Sequence, residues 1–117
     1  MQKSFKFAFN GIGDALKSEP NLRFHFLASI IAIFLAIYLK FTKVELSVLI
    51  LTIFFVIVSE LVNTIVEKLV DMNSKEISEE ARVIKDISAA VVLLSAIASV
   101  VVGFFLFLPK LIRFFNT

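Results

Sequence analysis

The sequence ISAAVVLLSAIASVVVGFFLFL at residues 87–108 decides the fold. It runs for 22 residues without a charged side chain. An α-helix rises about 1.5 Å per residue, so roughly 20 apolar residues cross the hydrocarbon core of a bilayer. The segment therefore predicts a transmembrane helix, and with it an integral membrane protein.

Two further apolar runs predict two more spans. Residues 22–39 are apolar except for Arg23 and His25 near the start. A second run begins at residue 44 and becomes polar in its second half while it keeps helical spacing. Acids at residues 79–80 favour a helix start before the third run. The predicted spans cover residues 22–39, 44–71 and 80–108, and Pro109 is expected to follow the end of the third.

The N-terminal segment predicts a different kind of helix. Over residues 4–18, apolar side chains recur at helical spacing with polar ones between them: Phe5, Phe9, Ile12 and Leu16. This pattern is typical of an amphipathic helix lying in the membrane interface, although it also fits the first helix of a soluble bundle. Glu19-Pro20-Asn21 is expected to break this helix before the first span.

The composition supports the same fold class. The chain is 59% hydrophobic and has 14 Phe, 3 Gly and 2 Pro among 117 residues, whereas soluble domains have about 45–50% apolar residues. We therefore predict one all-α domain, residues 1–117, with an N-terminal surface helix and three transmembrane helices. The lack of cysteine excludes disulfides, thiolate catalysis and cysteine metal sites. A net charge of +2 gives no reason to expect nucleic-acid binding.

The placement of positive charge predicts the orientation in the membrane. Lys and Arg are more numerous before the first span and after the second than at the other two connections. Because cytoplasmic segments carry the excess of Lys and Arg, the N-terminus and the loop after the second span are predicted to be cytoplasmic. We expect a multi-pass plasma membrane protein with its functional residues on the cytoplasmic side.

Small residues form a stripe along the third span. Ala89, Ala96 and Gly103 are seven residues apart, and Ser88 and Ser95 have the same spacing. In lipid, small residues let helices approach closely, so the stripe predicts a packed bundle and self-association. Small residues are also frequent in ordinary transmembrane helices, which is the alternative.

Polar side chains line one face of the second half of the second span. On a helical wheel they fall within about 100° of arc: Glu60, Asn63, Thr64, Glu67 and Asp71. A carboxylate at membrane depth costs about 2.5–3.5 kcal/mol, so Glu60 needs a partner, a proton, a metal ion or an aqueous cleft. Such a carboxylate is suited to act as a general base.

Other charged residues at the same membrane face suggest phosphate chemistry. Glu19 and Glu67 could supply oxygen ligands for Mg²⁺, which prefers one or two carboxylates plus substrate phosphates. Lys85 could neutralise phosphate oxygens, although it also fits an interfacial lysine. The sequence contains no glycine-rich phosphate loop. The single histidine, His25, is given no catalytic role.

The pattern Glu60-x-x-Asn63-Thr64-x-x-Glu67-x-x-x-Asp71, followed by Lys85-Asp86, resembles the bacterial membrane diacylglycerol kinase and undecaprenol kinase family. Residues 7–11 and 19–25 also fit the surface helix and first-span entry of that family, so the resemblance covers nearly the whole chain. It implies a homotrimer of three-span subunits with an N-terminal surface helix. It also implies active sites at the cytoplasmic interface that neighbouring subunits share.

The resemblance further implies roles for individual residues. Glu60 is similar to the catalytic base that takes the proton from the lipid hydroxyl, and Glu19 and Glu67 are similar to the metal-coordinating acids. ATP contacts are implied for Glu19, Glu67, Glu76, Ser78, Lys85 and Asp86, and support of the site for Asn63 and Asp71. The chain departs from the family pattern at four positions that concern ATP contacts: Pro20, Ile65, Ser78 and Ile84.

The resulting hypothesis is an ATP-dependent lipid kinase that uses Mg²⁺ and transfers the γ-phosphoryl group to the hydroxyl of a membrane lipid. The compact N-terminus and residues 107–111 resemble the undecaprenol kinase branch more, so undecaprenol is favoured over diacylglycerol. A proton-coupled transporter with Glu60 as a relay is the alternative from another class, but it leaves the acids and lysine beyond the span without a role. A pore former would need a polar stripe through the whole bilayer, whereas the acids here cluster at one end.

Overall fold

The computed structural model of the chain consists of four α-helices and describes residues 1–73 and 78–116. The helices are α1 (Gln2–Ser18), α2 (Pro20–Tyr38), α3 (Lys43–Asn73) and α4 (Glu79–Phe115). The last three are each long and apolar enough to cross a membrane. The first and last residues of the helices lie within two residues of the ends of the predicted segments, except at the C-terminal end of α4. The predicted ATP contact Glu76 lies outside the described residues.

The break between α1 and α2 is a single residue. Glu19 has an extended backbone, with φ −117° and ψ 102°, and α2 begins directly at Pro20. Proline suits the first helical position because its missing N–H has no partner there in any helix. The predicted three-residue break is therefore too long. The guanidinium of Arg23 donates from Nη1 to the carbonyls of Leu16 and Lys17, both at 3.1 Å, which caps the end of α1.

The connection between α2 and α3 is closed by two capping motifs. Lys40 has a left-handed backbone, with φ 61°. Its N–H donates to the Ile37 carbonyl at 3.1 Å, and the Phe41 N–H donates to the Ala36 carbonyl at 3.0 Å, which is the Schellman arrangement. Thr42 and Glu45 then form a reciprocal capping box at the start of α3, with bonds of 2.9 and 3.1 Å.

α4 begins as predicted and ends later than predicted. The Ser78 hydroxyl accepts the Ala81 N–H at 3.0 Å, which caps the helix. The helix then continues through Pro109 to Phe115, seven residues beyond the predicted end of the third span. Proline removes only one hydrogen bond, to the carbonyl four residues earlier, and transmembrane helices tolerate it. Lys110 also holds this final segment to α3, with its Nζ 3.1 Å from Oε1 of Glu45.

The apolar core lies where the first three helices meet. Ala15, Leu22 and Ile57 are buried there, and partly buried side chains pack around them. Most other large apolar side chains point outward, including Phe34, Phe55 and Phe105. A surface that exposes so many large apolar side chains is compatible with contact to the hydrocarbon core of a bilayer.

The predicted small-residue stripe of α4 divides between two surfaces. Ser88 and Ser95 are buried in the chain, and α3 and α4 form the most extensive helix pair. Ala89 is exposed, whereas Ala96 and Gly103 are partly buried. The serines therefore serve packing within the chain, and Ala89 remains open for another contact.

Candidate active site

The polar side chains of α3 change from buried to exposed along the helix. Glu60 and Thr64 are buried, Asn63 and Glu67 are partly buried, and Asp71 is exposed. Glu67 lies about 10 Å further along the helix axis than Glu60, because each residue adds about 1.5 Å. The predicted stripe thus leads from the protein interior toward the end of the bundle.

Glu60 is the deepest of these acids and is paired with a histidine. It is only 7% exposed. Its Oε1 lies 3.1 Å from Nε2 of His25, which projects from α2. Among the described residues no hydrogen-bond partner is seen for Oε2 of Glu60, and a small part of the side chain remains accessible. The partner that an acid at this depth requires is therefore His25.

Sequence reasoning missed His25 because pairing between helices is a tertiary property. The histidine lies in the second turn of α2, and Glu60 lies 35 positions later in the chain. A signal was nevertheless present. Glu60 required a polar partner from another helix, and His25 is the only histidine in the sequence.

Asn63 links α3 to α4 and to Glu67. The Ser88 hydroxyl donates to Oδ1 of Asn63 at 2.8 Å. Nδ2 of Asn63 in turn donates to Oε1 of Glu67 at 3.2 Å. The amide therefore fixes one carboxylate oxygen of Glu67 and leaves Oε2 available to a ligand.

Lys85 and Asp71 form a second link between the same helices. Nζ of Lys85 lies 2.7 Å from Oδ1 of Asp71. The side chains of both residues are well exposed, and Lys85 also lies close enough to Glu67 to interact with its charge. An accessible cation beside two carboxylates can meet a bound phosphate group and the metal ion that accompanies it.

Asp86 belongs to a separate group of charges on the exposed side of α4. Nη1 of Arg82 donates to Oδ2 of Asp86 at 2.8 Å, and the same guanidinium pairs with Glu79. Ser78, predicted to contact ATP, uses its hydroxyl oxygen to cap α4. The structure thus shows local partners for both predicted ATP contacts, Asp86 and Ser78.

The two predicted metal ligands come from different helices. Glu19 is partly buried at the junction of α1 and α2, and Glu67 is partly buried on α3. No group of three or more histidine or acidic residues within residues 1–73 and 78–116 is placed to hold a metal ion. Mg²⁺ commonly uses one or two protein carboxylates together with phosphate oxygens and water. The oxygen donors of Glu19 and Glu67 fit that chemistry.

The sequence matches a known protein family over most of its length. The sequence model of the family described as prokaryotic diacylglycerol kinase matches residues 6–107. The chain belongs to this family. The resemblance seen in the sequence is therefore confirmed. At the level of the family, the predicted enzyme class, a phosphotransferase with an alcohol acceptor, is confirmed as well.

Two relatives of this lipid kinase family show its breadth. The chain is 37% identical over 110 residues to the diacylglycerol kinase of Synechocystis sp., a match that covers 93% of this chain and 63% of the relative. It is 31% identical over 109 residues to the undecaprenol kinase of Bacillus subtilis (strain 168), with 93% and 89% covered. The chain thus spans less than two thirds of the length of the first relative. The two names differ in the lipid alcohol.

Proposed function

We propose that this member of the family transfers the γ-phosphoryl group of ATP to the hydroxyl of a membrane lipid, with undecaprenol as the favoured acceptor. The observation that carries the proposal is the buried Glu60–His25 pair at one end of a face that leads to Glu67 and the Lys85–Asp71 pair. In this proposal the buried carboxylate meets a lipid hydroxyl that arrives from the bilayer. The exposed charges meet a nucleotide that arrives from water.

In the proposed reaction, Glu60 accepts the hydroxyl proton as the hydroxyl oxygen attacks the γ-phosphorus and ADP leaves. Lys85 offsets negative charge on the phosphate oxygens. When Mg²⁺ is bound, it neutralises further phosphate charge, and Glu19 and Glu67 are the residues that would hold it. Asn63 fixes the orientation of Glu67.

The remaining ATP contacts stay part of the proposal. Glu76, Ser78 and Asp86 are assigned to the nucleotide by resemblance to the family, and Asp71 supports Lys85. Ser78 and Asp86 lie at the beginning of α4, on the same helix as Lys85. Their hydrogen-bond partners are backbone and side-chain groups of α4 itself. Because these bonds are exposed and therefore weak, a bound nucleotide can replace them.

We further propose that α1 lies on the cytoplasmic face of the plasma membrane as an amphipathic surface helix. Nearly all of α1 is exposed, including Phe5 and Phe9, and Lys residues are interspersed between the aromatic side chains. Apolar side chains can enter the acyl boundary while the lysines contact anionic headgroups. The proposed active site then faces the ATP of the cytosol.

A homotrimer with shared active sites completes the proposal. Its structural support is the exposed Ala89, a small residue on α4 beside the buried Ser88, where another helix can approach closely. If Glu19 of one chain joins Glu60 of its neighbour in a shared site, mixing inactive Glu60→Gln subunits with inactive Glu19→Gln subunits should restore part of the activity. Mixed subunits that stay inactive while sedimenting as trimers would contradict sharing.

A parallel lipid assay tests the function. Purified protein in mixed micelles would receive labelled ATP and Mg²⁺ with either undecaprenol or diacylglycerol, and the labelled lipid would be quantified. We expect a higher kcat/KM for undecaprenol, and no product when EDTA removes Mg²⁺. Transfer to diacylglycerol alone would overturn the lipid assignment. Transfer to neither lipid, with substrate-dependent proton flux in vesicles instead, would favour the transporter.

A further inference from the structure

The His25–Glu60 contact joins two helices at a position where water is scarce. Glu60 is 7% exposed, and Nε2 of His25 lies 3.1 Å from its Oε1. The ring of His25 also meets Phe24 edge-on, with ring centroids 5.7 Å apart. Within the part of the chain that the structure describes, His25 is the side chain that lies within ion-pair distance of the Glu60 carboxylate.

We propose that His25 is a positioning residue for Glu60, a role that rests on the proposed function. In this role the tautomer with a proton on Nε2 donates to Oε1, 3.1 Å away, and Oε2 is the oxygen that receives the proton of the lipid hydroxyl. The bond suits both states of the acid. When Oε2 carries the proton, Oε1 becomes the carbonyl-like oxygen and still accepts from His25. The carboxyl group therefore keeps one orientation through the reaction.

Packing of α2 on α3 does not depend on this bond. Leu22 and Ile57 bury apolar surface between the same helices, and Phe26 and Ile53 pack against them. Removal of His25 alone leaves the Glu60 carboxylate buried without this partner, and that is destabilising. A loss of activity in an apolar variant therefore needs a readout that separates folding from orientation, because orientation of Glu60 requires a donor at position 25.

The surroundings of His25 leave room for substitution. His25 borders a cavity of about 190 Å³ between α2, α3 and α4, whose lining also includes Ser29, Thr52, Ser99 and Gly103. We expect a phenylalanine at position 25 to extend into this space. A glutamine there can place its amide nitrogen close to the position of Nε2 and donate in the same way.

Two substitutions at position 25 distinguish the effect of the N–H donor from the effect of side-chain size. We expect His25→Phe to lower kcat by about 30-fold or more with the KM for ATP within about twofold, because a misplaced reacting group commonly costs up to about 100-fold. His25→Gln should recover at least about one third of the wild-type kcat. His25→Leu provides a second apolar variant if the phenylalanine protein does not fold. Thermal unfolding in detergent checks folding of each.

A combined variant supplies the decisive readout. In a Glu60→Gln background, His25→Phe should lower the remaining kcat by less than about twofold, because the group it positions is gone. A lipid-phosphorylating wild type and a Glu60→Gln variant with a strongly reduced but measurable kcat establish the proposed function separately. On that basis, a full rate for His25→Phe, or no rescue by His25→Gln, overturns the positioning role alone. Wild-type protein that phosphorylates no lipid overturns both.

Discussion

The hydroxyl of Ser88 lies 2.8 Å from Oδ1 of Asn63, and this bond connects α4 to the acid-bearing face of α3. Asn63 passes the constraint on, because its Nδ2 donates to Oε1 of Glu67 at 3.2 Å. The orientation of a proposed metal ligand on one helix thus depends on a serine from another. The members of such a hydrogen-bond network depend on one another, so removal of one side chain affects the orientation of the others.

Ser88→Ala tests this relay. The variant loses the donor to Asn63, so Glu67 is less well oriented, and we expect the Mg²⁺ concentration for half-maximal rate to rise about 3- to 10-fold. The loss of one buried hydrogen bond should also lower the free energy of unfolding by about 1 kcal/mol. Both effects can be measured by titrating Mg²⁺ in the lipid kinase assay and by denaturation in detergent.

Ser95→Ala is the matched control for that experiment. Ser95 is buried on the same helix seven residues later, and its hydroxyl donates to the Val92 carbonyl within α4. The control should leave the Mg²⁺ dependence unchanged. An equal shift in both variants would show that the effect comes from packing of α4 and not from Asn63.

The Lys85–Asp71 pair can be tested through ATP binding. Both side chains are accessible, and Nζ of Lys85 lies 2.7 Å from Oδ1 of Asp71. Lys85→Gln removes a charge that we assign to the phosphates, so kcat/KM for ATP should fall by about 100-fold. Asp71→Asn removes only the negative charge that holds the lysine in place, and a fall in kcat/KM for ATP of about 10-fold is expected. Initial rates at varied ATP measure both.

Equal losses for these two variants would contradict the assignment of Lys85 to the phosphates. Unfolding midpoints provide the control, because an exposed ion pair contributes little to stability. Neither substitution should lower the midpoint appreciably. A large drop would indicate a structural link between α3 and α4 in place of a role in nucleotide binding.

The left-handed backbone of Lys40 predicts a stabilising substitution far from the site. A side chain at φ 61° is strained, since non-glycine residues pay about 1–2 kcal/mol in this region. Lys40→Gly relieves that strain but gains freedom in the unfolded state, so a net stabilisation of about 0.5–1 kcal/mol is expected. Lys43→Gly, in the first turn of α3, should destabilise instead. Activity should be unchanged in both.

The helices were predictable from sequence because hydropathy is a local property. A run such as residues 87–108 has few ways to satisfy its backbone in lipid other than a helix. The wheel of α3 likewise follows from spacing alone, and the structure has its acids in the predicted order of depth. Resemblance to the family added roles that spacing cannot supply, and the family itself is confirmed by the match to residues 6–107.

What the sequence did not show depends on contacts between distant segments. The pairing of His25 with Glu60 requires knowing which faces of α2 and α3 meet. The path of α4 through Pro109, with Lys110 reaching Glu45 at the start of α3, is likewise not visible in the local sequence. Local rules for proline favour a stop at residue 109, although membrane-spanning helices tolerate proline.

The rate of lipid phosphorylation by Glu60→Gln tests most directly whether this carboxylate is the base of the reaction. The substitution keeps the size and hydrogen-bonding reach of the side chain but removes its capacity as a base. Labelled phosphate transfer to undecaprenol would be measured at saturating ATP and Mg²⁺ beside Glu45→Gln, an acid at the opposite end of α3. We expect a fall in kcat of at least about 100-fold for Glu60→Gln, unchanged folding, and nearly full activity for the control. Near-normal transfer by Glu60→Gln would contradict this role.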